Sequence, residues 1–151
     1  MKILENFLMQ FRKNNKAPTP AGEHLFKQGQ SKKLEIKGAE IFHMTVAKGL
    51  YVCKRARPDI QPTIAVLCTR VKQPEESNWT KLIRMMKYLN CTRKMTLTIT
   101  ANNISIIKWY VDTSFAVHPD FKSHTGAVMK MGKGAVQSFS RKQKLNTRSS
   151  T

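Results

Sequence analysis

Negative charge is what this sequence has least of: nine Asp and Glu residues stand against 27 Lys and Arg, a formal charge of +18 over 151 residues. Solubility does not require such an excess, so a polyanionic partner is implied, with nucleic acid first among the candidates. The deficit deepens along the chain. Beyond Glu76 the carboxylates are Asp112 and Asp120, while basic residues continue from Lys81 to Arg148. Long apolar runs are missing as well. No stretch approaches the roughly 18 to 20 residues that a membrane span needs, which argues against a membrane partner. The opening MKILENFLMQF is interrupted by Glu5, Asn6 and Gln10 and has neither a signal-peptide core nor a small-residue cleavage site. An intracellular chain, cytoplasmic or nuclear and not secreted, is the expectation. Cysteine is scarce and odd in number: Cys53, Cys68 and Cys91 lie in apolar surroundings and suit three reduced, buried thiols better than a disulfide framework.

What is present is enough for one globular domain, or a piece of a larger one, since 40% of the residues are hydrophobic. Residues 1 to 11 have the spacing of a short amphipathic helix. A polar linker from Arg12 to Gly22 follows, carrying Pro18 and Pro20, then an exposed lysine-rich loop from Lys27 to Gly38. From Glu40 the pattern becomes helical, with Phe42, Val46, Gly49, Leu50 and Cys53 on one face and an end near Arg57, ahead of Pro58. A second helix carries Ile60, Ile64, Leu67, Cys68 and Val71, with Pro58 and Pro62 in its first turn. Trp79, Leu82, Ile83, Met86 and Leu89 define a third, capped by Ser77 or Asn78.

Beyond Thr92 the period shifts to two. Met95, Leu97, Ile99 and Ala101 alternate with threonines, as in a half-buried strand, and ISIIKWYVDTSF reads as the next one. GAVMKM and AVQSFS then form a hairpin joined at Gly132-Lys133-Gly134. The fold class is therefore α+β: three short helices followed by an antiparallel sheet of three or four strands. The basic tail ends in residues (Asn146, Thr147, Ser149) suited to capping a further helix, and no internal repeat is evident.

Asp112 is the candidate catalytic group. An aspartate on an apolar strand is either a salt-bridged structural residue or one ligand of a cation site. Two divalent ions about 4 Å apart need several carboxylates, which this half of the chain does not supply. Asp120 reads as a turn-former. His118 and His124 are too far apart for an i, i+4 zinc pair and have no nearby Cys, so they read as loop polarity. His43 reads as a helix-surface residue, and one of Trp109 and Tyr110 should face the core. Gly132-Lys133-Gly134 lacks the spacing of a phosphate loop. The basic residues weigh more: Lys81, Arg84 and Lys87 on the third helix, with Arg141, Lys142 and Lys144 beside the last strand, are the candidate nucleic-acid-binding residues.

Several blocks carry a resemblance. Arg57-Pro58-Asp59-Ile60, the Trp79 helix ending in Tyr88-Leu89, the Asp112 strand, Ser123-His124-Thr125-Gly126 and Ser140-Arg141-Lys142-Gln143-Lys144 stand in the order and approximate spacing of the back end of copia-type retrotransposon polyproteins. The resemblance covers roughly residues 40 to 151. It implies a reverse transcriptase thumb and connection segment over 40–104 and the start of a ribonuclease H domain over 105–151, which leaves 1–39 as a linker or N-terminal extension. It also implies that Asp112 matches the first metal-binding carboxylate of ribonuclease H, an enzyme that uses Mg²⁺ to cut RNA in an RNA–DNA hybrid. In that family a helix bearing the next catalytic glutamate follows the residues matching Ser149, Ser150 and Thr151. The paired aspartates of the polymerase lie upstream, and no Asp-Asp occurs here. Cys91 stands where the family usually has glycine. The expectation is a fragment that is catalytically incomplete on its own, binding an RNA–DNA hybrid or duplex and holding no Mg²⁺ stably; the alternative is a non-catalytic basic nucleic-acid-binding protein.

Overall fold

The computed structural model describes residues 19–27, 29 and 31–146. The helix expected over residues 1 to 11, most of the linker, and the tail positions Thr147 to Thr151 lie outside them. Within them the chain is α+β: four helices, α1 (Glu23–Phe26), α2 (Ile36–Arg55), α3 (Gln61–Cys68) and α4 (Glu76–Cys91), then a three-stranded sheet of β1 (Lys108–Ser114), β2 (His124–Lys130) and β3 (Gln137–Lys142).

The helical periodicity is realised except at Leu50, which is exposed. Of the three thiols expected to be buried, Cys53 is, Cys68 is half-buried and Cys91, at the end of α4, is exposed. Phe42, Val46, Gly49 and Cys53 are buried along α2, which begins four residues before the expected Glu40 and runs for 20 residues, longer than a short helix. It stops where the residue before Pro58 must leave the helical region; Arg57 sits at φ −133 and ψ 66. The second expected helix is divided. Pro58–Ile60 form a 3₁₀ turn, and α3 restarts with Pro62 in its first turn, where a missing backbone donor costs nothing. The cap of α4 is Glu75 and not Ser77 or Asn78. Asn78 serves from the third helical position, its Oδ1 accepting from the Glu75 N–H at 3.0 Å while the Glu75 side chain accepts from the Asn78 N–H.

Phe42, Val46, Ile64, Leu67, Leu82, Met85, Met86 and Leu89, each essentially inaccessible to solvent, close one core between α2, α3 and α4. Burial of each is worth about 2 kcal/mol. A polar clamp ties the 3₁₀ turn to the end of α4: Arg57 donates to Asp59 at 2.7 Å, to the Thr92 carbonyl at 3.1 Å and to Thr92 Oγ1 at 2.7 Å, while its guanidinium lies over the Tyr88 ring. Part of the expected linker is docked as well. Thr63 donates to the carbonyl of Pro20 and Arg84 to that of Thr19, and α1 places Leu25 in a buried position.

The sheet is antiparallel in the order β1-β2-β3. Asp112 pairs with Gly126, Lys108 with Lys130, and Ala127 with Phe139. The strand expected over Met95–Ala101 does not form. That segment instead lies along the β2–β3 turn, with the Thr100 N–H on the Lys133 carbonyl at 3.1 Å and the Asn102 N–H on the Met131 carbonyl at 3.2 Å. Gly134, at φ 73, permits this approach, because a Cβ there would run into the Thr98 carbonyl. Alternation makes a segment fit for a sheet but does not bring a free edge within reach.

The sheet meets the helices through its β3 side. Gln61 of α3 donates to the Ser138 carbonyl at 3.1 Å and accepts from the Ser138 hydroxyl. The opposite edge, β1, stays outside. Trp109 and Tyr110 are therefore both exposed, and the expectation that one of them enters the core is corrected.

Candidate functional site

A cavity of about 790 Å³ opens where α1, α2, α3 and the 118–124 loop converge on β2 and β3. Among the described residues its apolar floor includes Leu25, Phe26, Ile64 and Cys68, and its rim carries Lys54, Arg70, Lys81, Arg141 and Lys142 against a single carboxylate, Asp120. Ligand cavities commonly combine such a floor with a few converging polar groups. The five cations arrive from four different elements. Lys54 lies in the last turn of α2, Arg70 follows the end of α3, Lys81 stands on α4, and Arg141 and Lys142 end β3.

The positive field registers on the groups within it. Burial and the charge of Arg70 lower the pKa of Lys81, whose ammonium donates to the Lys27 carbonyl at 2.7 Å. Burial, with Lys142 next, lowers that of His118. The one carboxylate is already engaged: Asp120 accepts from Lys142 at 2.6 Å and lies 3.8 Å from Lys122, and the Lys142 bond holds its carboxyl below the usual range. Asp120 is thus more than a turn residue.

The histidines also differ from their reading as loop polarity. His118 Nε2 lies 3.0 Å from His124 Nδ1, and His124 Nε2 lies 2.6 Å from Ser140 Oγ. Phe26 closes over both rings. Burial, reinforced by the neighbouring His118, depresses the pKa of His124 to about 4, so the ring is neutral at physiological pH. His124 opens β2 and Ser140 lies on β3, directly across the register from the position that β2 gives to Gly126. The sequence separates these residues, and the hairpin brings them together.

The candidates read from sequence divide accordingly. Lys81, Arg141 and Lys142 meet at the cavity; Arg84, Lys87 and Lys144 do not line it. Lys54 and Arg70 were missed, although a signal existed: Lys54 stands in the last turn of α2 and Arg70 just past the end of α3, where cations complement the C-terminal end of the dipole. Asp112 stands apart on exposed β1, its Oδ1 accepting from the Thr113 N–H at 2.9 Å. Among the described residues it has no ion-pair partner, and no three His, Cys, Asp or Glu residues gather as a metal site. A lone exposed carboxylate does not fit Mg²⁺, which needs a nearly octahedral shell of oxygen ligands. No helix among the described residues is long and apolar enough to cross a membrane.

No protein-family model matches the chain, and no solved structure matches it. Over 103 residues it is 28% identical to a protein of Plasmopara viticola named Secreted RxLR effector protein 161, a match covering 68% of this chain and 72% of the relative. The expectation that the chain is not secreted is overturned by this similarity, because the relative is named as a secreted protein.

Proposed function

We propose that the chain is a nucleic-acid-binding fragment of a copia-type retrotransposon polyprotein, spanning the end of the reverse transcriptase and the start of an incomplete ribonuclease H-like fold. The observation that carries the binding part is the cavity rim, where five cations converge and the one carboxylate is consumed by Lys142. Phosphate oxygens satisfy such a rim and release condensed counterions as they do so. The order of elements supports the ancestry: helices come first, then an antiparallel β1-β2-β3 sheet with Asp112 in the middle of its first strand. The same strand supports catalytic incompleteness. Among the described residues no three His, Cys, Asp or Glu side chains gather as a metal site, around Asp112 or elsewhere, so phosphoryl chemistry that relies on paired divalent ions has too few ligands there.

Fluorescence anisotropy with a labelled RNA–DNA hybrid tests the binding. The expected result is an affinity that falls linearly with salt on logarithmic axes, with a slope of roughly −0.9 per phosphate contacted on B-form DNA and a similar order on a hybrid. Affinity indifferent to salt would remove the reading. Magnesium-dependent degradation of the hybrid that disappears in Asp112→Asn would remove catalytic incompleteness.

A second reading follows from the Plasmopara viticola relative: a basic secreted effector built on the same α+β scaffold. Its test is fractionation of cells expressing the tagged full-length protein. Recovery from the medium supports it, and complete retention in cells under conditions where a secreted control is exported counts against it.

A further inference from the structure

The two edges of the sheet are treated differently. Gln61 of α3 covers the β3 side at Ser138, whereas no described strand lies beyond β1. A strand edge with unpaired N–H and C=O groups is a template for another strand. Six of the seven β1 residues are exposed, and Trp109, Tyr110 and Val111 remain 49%, 56% and 65% accessible. Charge identifies the occupant. Across the ladder Lys108 faces Lys130, a like charge, and Asp112 faces Gly126, which has no side chain. Among the described residues neither Lys108 nor Asp112 has an ion-pair partner.

We infer that β1 pairs antiparallel with β1 of a second copy, about a two-fold axis at Tyr110, forming a continuous six-stranded sheet. This register sets Lys108 against Asp112 of the partner copy twice, and Trp109 against Val111 twice. Each pair shares a face, because residues of equal parity do so along a strand. Moving the axis by one residue loses the ion pairs: centred on Val111, Lys108 meets Ser114; centred on Trp109, it meets Tyr110. Opposite charges and an aromatic facing a β-branched residue are favourable cross-strand pairs, each contributing roughly 0.2–1 kcal/mol. The contact is isologous and uses up both open edges, while the far edges lie against α3, so assembly ends at the dimer. The inference does not depend on nucleic-acid binding, and its test omits nucleic acid.

Sedimentation equilibrium on the full chain reads the outcome, at about 0.3 M salt so that the large positive charge of each copy is screened beyond a few ångströms. The expected species has twice the 17.3 kDa protomer mass and dissociates on dilution. Asp112→Lys alone and Lys108→Asp alone each place like charges opposite one another and weaken dimerisation at least several-fold. The double exchange restores it. Circular dichroism verifies that each variant keeps its fold, which is expected because both side chains are exposed. A wild-type monomer at every concentration, open-ended larger species, or a double exchange that fails to restore the dimer would each overturn the inference.

Discussion

The His118 and His124 rings meet at 3.0 Å between Nε2 and Nδ1, and Ser140 holds the far nitrogen of His124. Stability should follow the proton on His124. Its pKa is about 4 in the folded chain and about 6.5 when unfolded. Between these values the unfolded chain binds the proton and the folded chain does not, so stability rises with pH. The contribution is complete above about pH 6.5 and is lost as pH falls through 4, a total of about 3 kcal/mol. His118, also depressed, acts in the same direction. Urea midpoints measured against pH should drop across this window, and less so in His124→Gln. Parallel curves for the two proteins would contradict the assignment.

Arg70→Ala should lower the salt slope of hybrid binding by about 1, whereas Lys87→Ala should change it little. Arg70 stands on the cavity rim and Lys87 does not. Anisotropy titrations of both variants over a range of salt separate this from a diffuse positive surface, which would make the two substitutions equivalent.

Asp59→Ala should destabilise the chain by about 2 kcal/mol, since it leaves the guanidinium of Arg57 buried without the carboxylate that balances its charge. Burial is the largest single influence and works to raise the carboxyl pKa of Asp59, but the hydrogen bonds from Arg57 and Tyr88 and the charge of Arg57 together outweigh it, so the net shift is downward. Equilibrium denaturation reports the loss. A change within about 0.5 kcal/mol, the range of ordinary surface substitutions, would show that the clamp is not structural.

Gly134→Ala should cost about 2 kcal/mol, because the residue holds a φ of 73 and its new methyl would collide with the Thr98 carbonyl. The loss should be local in origin. Hydrogen exchange at the Thr100 and Asn102 amides, which bond to the β2–β3 turn, should accelerate more than exchange in α4.

Much of the helical half was legible in the residues. Phe42, Val46, Gly49 and Cys53 fall on the buried face of α2, and Leu82, Met86 and Leu89 on that of α4, as their spacing requires. Strands were harder. Thr96, Thr98 and Thr100 alternate as cleanly as any strand, yet their segment crosses a hairpin turn; a period of two records which residues could face one side, not whether a neighbour is available. Helices satisfy their own backbone, whereas strands need a distant partner.

The candidate site was legible only in part. Positive charge was plain, and Lys81, Arg141 and Lys142 were named from it, but Arg84, Lys87 and Lys144 carry the same charge and lie outside the cavity. Composition alone does not separate the two groups.

What the sequence determined by itself is local or global: helix periods set by nearest turns, proline breaks, hairpin chemistry at Gly132 and Gly134, and a net charge that needs no fold to exist. What only the tertiary structure decided is convergence. The His118–His124–Ser140 chain depends on the pairing of β2 with β3, while the meeting of Lys54, Arg70 and Lys81 with the end of β3 and the exposure of β1 beside a covered β3 depend on how α3 docks against the sheet. The reason is physical: nearby residues interact in almost any compact state, while contacts between distant segments exist only once burial of the shared core has repaid the entropy of bringing them together.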